Sequence, residues 1–402
     1  MPRSYLIPGV FREQLPLGAP AQLPSGIAGF VGVADAVSGS AIGRYEAVTL
    51  HRPEDYRAFF APGSETNGAR YLESVTRGFF ANGGRRCYVV GVAEADFVED
   101  KEQALLTAID TLGLLNDVDL VAAPDAMALM SGVGEPSQQR AAVQRVQRAL
   151  VDHCTAQGDR MAILDPPEHT AGASADEISE SLRSWFQPIA EGRHNAALYY
   201  PWLKVKARGP AVMRAAPPCG HIAGVYARSD ATHGVFKAPA NEELFDALDL
   251  EFPVSDAMQE RLHTQGINCL RAFPGRGLRV WGARTLSADS AWRYVNVRRL
   301  LLALGRWVER NMSWAAFEPN APRLWRRIQR ELEVHLEQLW RHGALQGRSS
   351  AEAFYVKCDA DTNPLDLRDQ GNVQSEIGLA AVIPAEFLVV RIVHRPGAIS
   401  LS

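Results

Sequence analysis

From residue 27 onward the chain alternates short apolar runs with longer stretches of mixed polarity. The runs at 27–33, 87–92, 120–123, 161–164 and 196–200 are each bounded by turn residues, the pattern of buried strands. Residues near 70–81, 101–115, 137–155 and 175–189 read as helices between them. Strand–helix–strand alternation predicts an α/β fold, a mostly parallel sheet covered on both faces. The rhythm changes at Pro274, where Gly275 and Gly277 open a turn. Residues 278–283 then read as a short buried strand, and Ser287 or Asp289 can cap the next element.

From Ala291 a helix sets Val297, Leu300, Leu301, Leu304 and Val308 on one apolar face. Arg299, Arg306 and Arg310 fall on the opposite face, so the helix docks on a core and shows cations outward. On these residues alone, a solvated basic face is the simpler reading. A second long helix follows, with Asn320 as its cap and Pro322 in its first turn. Trp325, Ile328, Leu332, Leu336 and Leu339 make its buried side, Arg323, Arg326, Arg327 and Arg330 the opposite side, and Gly343 its end. Residues 353–358, 373–383 and 386–393 predict strands of a terminal sheet.

The two ends differ from the body. Residues 1–25 hold five prolines, which fix φ and remove donors, so they form an extended arm. Tyr5, Leu6, Ile7, Val10 and Phe11 are too apolar for a solvated tail and suit addition to a sheet edge. An arm folded back on its own domain is an equal alternative on the residues alone. Residues 395–402 make a second terminal segment.

A chain of 402 residues has room for two ordinary domains. The net charge of −4 weighs against nucleic acid as the main partner. The five cysteines are odd in number and scattered, as expected of reduced core residues in a chain made in the cytoplasm. The first ten residues lack the apolar core of a signal peptide, and no run reaches the ~20 apolar residues of a membrane helix.

No catalytic or metal-binding motif is complete in the sequence. Thr232-His233-Gly234 is the one fragment faintly like a serine-protease histidine motif, and no nucleophile or orienting-acid motif accompanies it. His233 therefore reads as a loop or interface residue. His335 and His342 are seven apart on one helix face, read as surface histidines, and no His/Cys cluster has zinc spacing. Gly275-Arg276-Gly277 lacks the remainder of a dinucleotide or phosphate loop, so no cofactor is expected. Arg276 and Arg279 can pair either with a neighbour's carboxylates or within the core.

Several words of the sequence nevertheless carry a resemblance. Phe273-Pro-Gly-Arg-Gly277, Val280-Trp-Gly-Ala-Arg-Thr-Leu286, Trp292-Arg-Tyr-Val-Asn-Val-Arg-Arg-Leu300 and Phe317-Glu-Pro-Asn320 resemble the sheath proteins of contractile phage tails and injection systems. Pro217-Pro-Cys-Gly-His-Ile-Ala-Gly-Val-Tyr-Ala-Arg-Ser-Asp230, Gly234-Val-Phe-Lys-Ala-Pro-Ala-Asn-Glu242, Leu339-Trp-Arg-His-Gly-Ala-Leu-Gln-Gly347, Ala353-Phe-Tyr-Val-Lys-Cys-Asp359 and Pro384-Ala-Glu-Phe387 continue it in order. Ile7-Pro-Gly-Val-Phe11 is similar to the family's opening, with Phe11 where tyrosine is usual.

The resemblance implies a subtilisin-like, non-catalytic α/β core at 26–284, preceded by an N-terminal linking arm at 1–25. It also implies an α+β C-terminal sheath domain at 285–394, near the tube, and a tail at 395–402. The function implied is a structural subunit, not an enzyme, of a sheath of stacked six-membered rings that contracts to drive an inner tube through a target envelope. Implied partners are copies of itself, the inner tube protein, and baseplate and terminal cap proteins, with no nucleic acid and no membrane insertion. Residues 4–12 and 387–394 would be exchanged strands, the latter including Phe387, Leu388, Val389, Val390 and Ile392. The arginines at 299, 306, 310, 323, 326, 327 and 330 are expected to face the tube or a neighbouring subunit. Alternatives are a baseplate- or cap-proximal sheath-like subunit and, with the triad missing, a subtilisin-like hydrolase.

Overall fold

The computed structural model describes residues 24–39, 42–61, 70–130, 135–168, 174–206 and 213–386, together with the backbone of 392–395 and 398–401. The apolar runs do form strands, β1 (Ala28–Val33), β3 (Cys87–Val92), β4 (Leu120–Ala122), β5 (Met161–Leu164) and β6 (Ala196–Tyr200), and β2 (Ala47–Leu50) adds a strand that the pattern did not single out. β7 (Leu203–Lys206), β8 (Met213–Ala216) and β9 (Asp249–Leu250) make a small antiparallel sheet beside them. β10 (Ile267–Phe273) and β11 (Gly277–Trp281) return to the main sheet, whose order is β11-β10-β6-β5-β4-β1-β3-β2. Its six inner strands run parallel, and an antiparallel strand closes each edge. β1, β5 and β6 are buried along their whole length, as an inner strand covered on both faces must be. β11 is less buried than its Val/Trp content predicts, because it is an edge strand.

The first eight helices are α1 (Asp55–Phe59), α2 (Leu72–Ala81), α3 (Glu94–Glu99), α4 (Lys101–Thr111), α5 (Pro136–Gln157), α6 (Ala175–Trp185), α7 (Cys219–His233) and α8 (Asp256–Thr264). α7 was not legible as a helix, since its low-amphipathicity sequence is buried on nearly every side. Gly220 and Gly224 let it lie directly on α2. A Cβ at Gly220 would fall 2.2 Å from the Val75 carbonyl oxygen, and one at Gly224 2.3 Å from that of Phe79.

The C-terminal elements are α9 (Val295–Asn311), α10 (Pro322–Arg341), α11 (Ser350–Ala353) and α12 (Leu365–Asp369). β12 (Phe354–Lys357) lies between α11 and α12, and β13 (Glu376–Leu379), β14 (Ile392–Arg395) and β15 (Ala398–Leu401) follow α12. β12 pairs with β13 and β14 with β15, each as a two-stranded antiparallel sheet. α9 has two buried faces rather than the single one expected. Val295 and Leu302 join the core of the large sheet, whereas Leu304 and Trp307 join a second core with Trp325, Ile328, Leu332 and Leu336 of α10. Asn320 does not cap α10: its side-chain oxygen accepts from the Trp325 indole, its amide donates to the Asn372 carbonyl, and the cap position is Ala321.

Candidate inter-subunit linkage site

The two ends of the body are each gripped by a carboxylate. At the N-terminal root, Gly26 has φ +72° and lies so close to α7 that a Cβ would meet the Ala227 backbone at 2.5 Å. The chain then enters β1 beneath Asp119, the residue before β4. The Asp119 carboxylate accepts from the Gly26 amide at 3.0 Å and from the Ile27 amide at 2.6 Å. The Ser25 side chain in turn bonds Asp230 near the end of α7.

Arg299 joins these two acids. One of its amino groups reaches Asp119 at 2.9 Å, and both engage Asp230, at 2.8 and 2.6 Å. Arg306 lies 3.6 Å from Asp119. Arg299 is 3% exposed and Arg306 5%, so neither is a cation on the surface of this chain. That corrects the expected outward stripe. Arg299 and Arg306 share the face of Val295 and Leu302, and their charge is answered by buried aspartates brought from two other elements. The pairing is what makes burial tolerable, because an unpaired buried charge is far costlier. Burial pushes the Asp230 carboxyl up, and Arg299 pulls against it.

Toward the C-terminus the corresponding carboxylate is Glu386. Glu386 makes a two-pronged ion pair with Arg284, Nε to Oε1 at 2.9 Å and an amino group to Oε2 at 2.5 Å. The Tyr294 hydroxyl donates to the same carboxylate at 3.2 Å, and the His263 ring lies 3.5 Å away. Desolvation alone would raise Glu386, but the hydrogen bond and charge of Arg284, with His263 and Tyr294 adding to them, together hold it below the usual carboxylate range. A cleft of about 730 Å³ opens beside it, lined among others by Gln259, His263, Arg271, Trp281 and Tyr294.

The remaining arginines differ. Arg310 is exposed and donates to the Asn116 carbonyl at 3.3 Å. Arg323, Arg326, Arg327 and Arg330 are exposed along α10, where Arg327 also covers the Trp314 ring and meets Glu331 at 3.4 Å. Phe317, just ahead of them, is fully exposed with φ +66°. Arg276 and Arg279 pair within the chain, on Asn241. His335 is not a surface histidine: it stacks on Trp307 at 3.9 Å, and burial lowers its pKa to about 4. His233 is exposed at the end of α7. Tyr5, Leu6, Ile7, Val10, Phe11, Phe387, Leu388, Val389 and Val390 lie outside the described residues. Ile392 begins β14, paired within the chain to β15.

Sequence reasoning missed Asp119, Asp230, Arg284, Tyr294 and Glu386 as a set. Asp230 closes one of the distinctive words of the sequence and Glu386 lies within another, but their partners are 69 and 102 positions away.

Both margins of the described body, at Gly26 and at Glu386, are thus fixed by salt-bridged carboxylates. Comparison with known proteins gives the chain a family. The model for the phage tail sheath protein central domain matches residues 117–286, and that for the phage tail sheath C-terminal domain matches 287–395. A chain of the sheath complex of PVC, an extracellular contractile injection system, in its contracted state is 30% identical, with a TM-score of 0.72 over 98% of this chain and 99% of that one. A chain of the anti-feeding prophage baseplate is 27% identical, with a TM-score of 0.73 over 97% and 99%. The tail sheath protein of Salmonella phage ViI is 25% identical over 55% of this chain, which spans about a third (35%) of that protein's length. The chain belongs to the phage tail sheath family and is a structural sheath subunit of the kind found in phage tails and contractile injection particles.

Proposed function

We propose that the protein is the bulk subunit of a contractile sheath, assembled as stacked six-membered rings around an inner tube protein. Triggered contraction to a shorter, wider lattice would drive the tube through a target envelope. Baseplate and terminal cap proteins complete the partners, and no nucleotide is needed because the energy lies in the difference between two packings. The observation that carries this reading is the pair of anchored chain ends: Asp119 holds the root of residues 1–25, and Arg284 holds the root of the segment after Glu386.

Segments 4–12 and 387–394 would be donated as strands to neighbours. β12 and β13 offer a destination, since a two-stranded sheet is marginal alone and its outer edges gain from an added strand. A donated strand would contribute several backbone hydrogen bonds at roughly 0.5–1.5 kcal/mol each. Because donor and acceptor differ, such links propagate into rings and helices. The exposed arginines at 310, 323, 326, 327 and 330 would face the tube or a neighbour, whereas Arg299 and Arg306 serve inside the body. We take 1–25, 26–284, 285–394 and 395–402 as the working units and the body as subtilisin-like in architecture.

A non-catalytic role is supported by the state of Cys219, a nucleophile at the start of α7. Burial and the neighbouring Asp165 hold its thiol protonated. A second reading, a baseplate-proximal sheath subunit, draws on the match to the anti-feeding prophage baseplate. Negative-stain electron microscopy of the full chain beside one lacking residues 1–25 tests the proposal. Long hollow tubes from the first and dispersed particles from the second support it. Short rings from the full chain favour the baseplate reading, and monomers from both sink self-assembly through the arm.

A further inference from the structure

Both chain roots are held by one short piece of chain, residues 284–299. Arg284 and Tyr294 grip Glu386, and the Asn296 amide donates to the Val382 carbonyl at 2.9 Å, four residues before it. Arg299 bonds Asp119, which also accepts from the Gly26 and Ile27 amides and lies 3.6 Å from Arg306. The piece is itself stiff. Arg284 and Tyr294 face each other in an antiparallel bridge, closed by Thr285 N to Arg293 O at 2.8 Å and Val295 N to Ala283 O at 3.0 Å. The Thr285 hydroxyl donates to the Trp292 carbonyl at 2.7 Å, and Asn268 accepts from the Arg284 amide at 2.7 Å. Thr285 and Asn296 are buried. From Tyr294 to Arg299 the path is the first turn of α9, roughly 7–8 Å along the helix.

We infer that residues 284–299 form a rigid bracket that couples the two arm roots, with Arg284 and Arg299 as its positioning residues. A shift at Glu386 is passed through the bridge and the first turn of α9 to Asp119, and so to the amides that fix where β1 begins. In an assembly, a load on one arm would then bias the other arm of the same subunit rather than dissipate in a loop. That consequence rests on the linking-arm reading above. The coupling itself does not.

Spatial adjacency alone does not establish coupling, so the test measures it at a distance. In the full chain, amide hydrogen exchange under native conditions is compared between wild type and Glu386→Gln. The expected result is exchange about tenfold faster at Gly26 and Ile27, as well as at Val382, with the amides of β3 unchanged. Glu386→Arg combined with Arg284→Glu should return Gly26 and Ile27 toward wild type. Arg284→Lys, which keeps the charge but loses the two-pronged pair, stands in if Glu386→Gln folds poorly, and should give a smaller change of the same sign. Faster exchange confined to Val382 and its neighbours, with Gly26 and Ile27 unmoved, overturns the bracket. Uniform acceleration that includes β3 overturns it too, because the defect is then global. Coupled exchange in a chain that forms no tubes would leave the bracket standing and remove the sheath-bulk reading. Tubes without coupled exchange would do the reverse.

Discussion

Arg299→Met removes the guanidinium that joins Asp119 to Asp230 while keeping a side chain of similar length. Arg299 is 3% exposed and makes three bonds of 2.6–2.9 Å to the two acids, so nothing in solvent replaces it. Arg306, 3.6 Å from Asp119, remains, but among the described residues no second cation pairs with Asp230. Breaking a buried pair by removing one partner costs about 3–5 kcal/mol, equivalent to a drop of roughly 5–15 °C in a domain-sized unit. The loss should depend on pH. Burial already raises Asp230, with Arg299 the main opposing pull, so in the variant its folded pKa climbs further above the unfolded value. The folded variant then holds a proton that the unfolded chain has released. Its stability is therefore greatest below about pH 4 and falls as pH rises through the folded pKa. Urea unfolding of wild type and variant at about pH 4.5 and about pH 7.5 should show the larger gap at the higher pH. A gap under about 1 kcal/mol, or one equal at both, would refute the argument that the cluster is a desolvated charge pair.

Three further outcomes are expected. Burial pushes Asp165 up to about 7, so its stabilising effect is full below the unfolded carboxylate pKa and is lost as pH rises toward 7. Asp165→Asn, which can still accept from the Cys219 amide, should flatten the urea-measured stability profile between about pH 4 and 7; an unchanged slope would contradict this. Gly224→Ala should destabilise by about 1–3 kcal/mol despite alanine's better helix propensity, because the new methyl meets the Phe79 carbonyl; thermal unfolding checks the sign. Reversing the exposed Arg323, Arg326 and Arg330 to glutamate together should change monomer stability by less than about 1 kcal/mol. The same variant should fail to form tubes or to bind a tube, which electron microscopy and co-sedimentation would read.

The sequence alone determined the local units. Each apolar run from residue 27 to 200 became a strand of the main sheet, and the i, i+3, i+7 pattern of Trp325, Ile328 and Leu332 became the buried face of α10. These signals are legible because strand and helix periods are set by the backbone, within a few residues. Tertiary structure decided where the charges went. Arg299 and Arg323 look alike in sequence, each on the polar side of an amphipathic helix. One is locked between Asp119 and Asp230, the other is exposed. The difference arises because the Arg299 face of α9 packs on the core of the large sheet, to which α10 contributes no residue, and no periodicity within either helix records what stands opposite. The carboxylates that make Arg299's burial possible come from positions 180 and 69 residues away, and Glu386 reaches Arg284 across 102. Spacing along a chain dictates which side chains share a face. Only the closed fold dictates whether that face meets water, an apolar wall or an opposite charge.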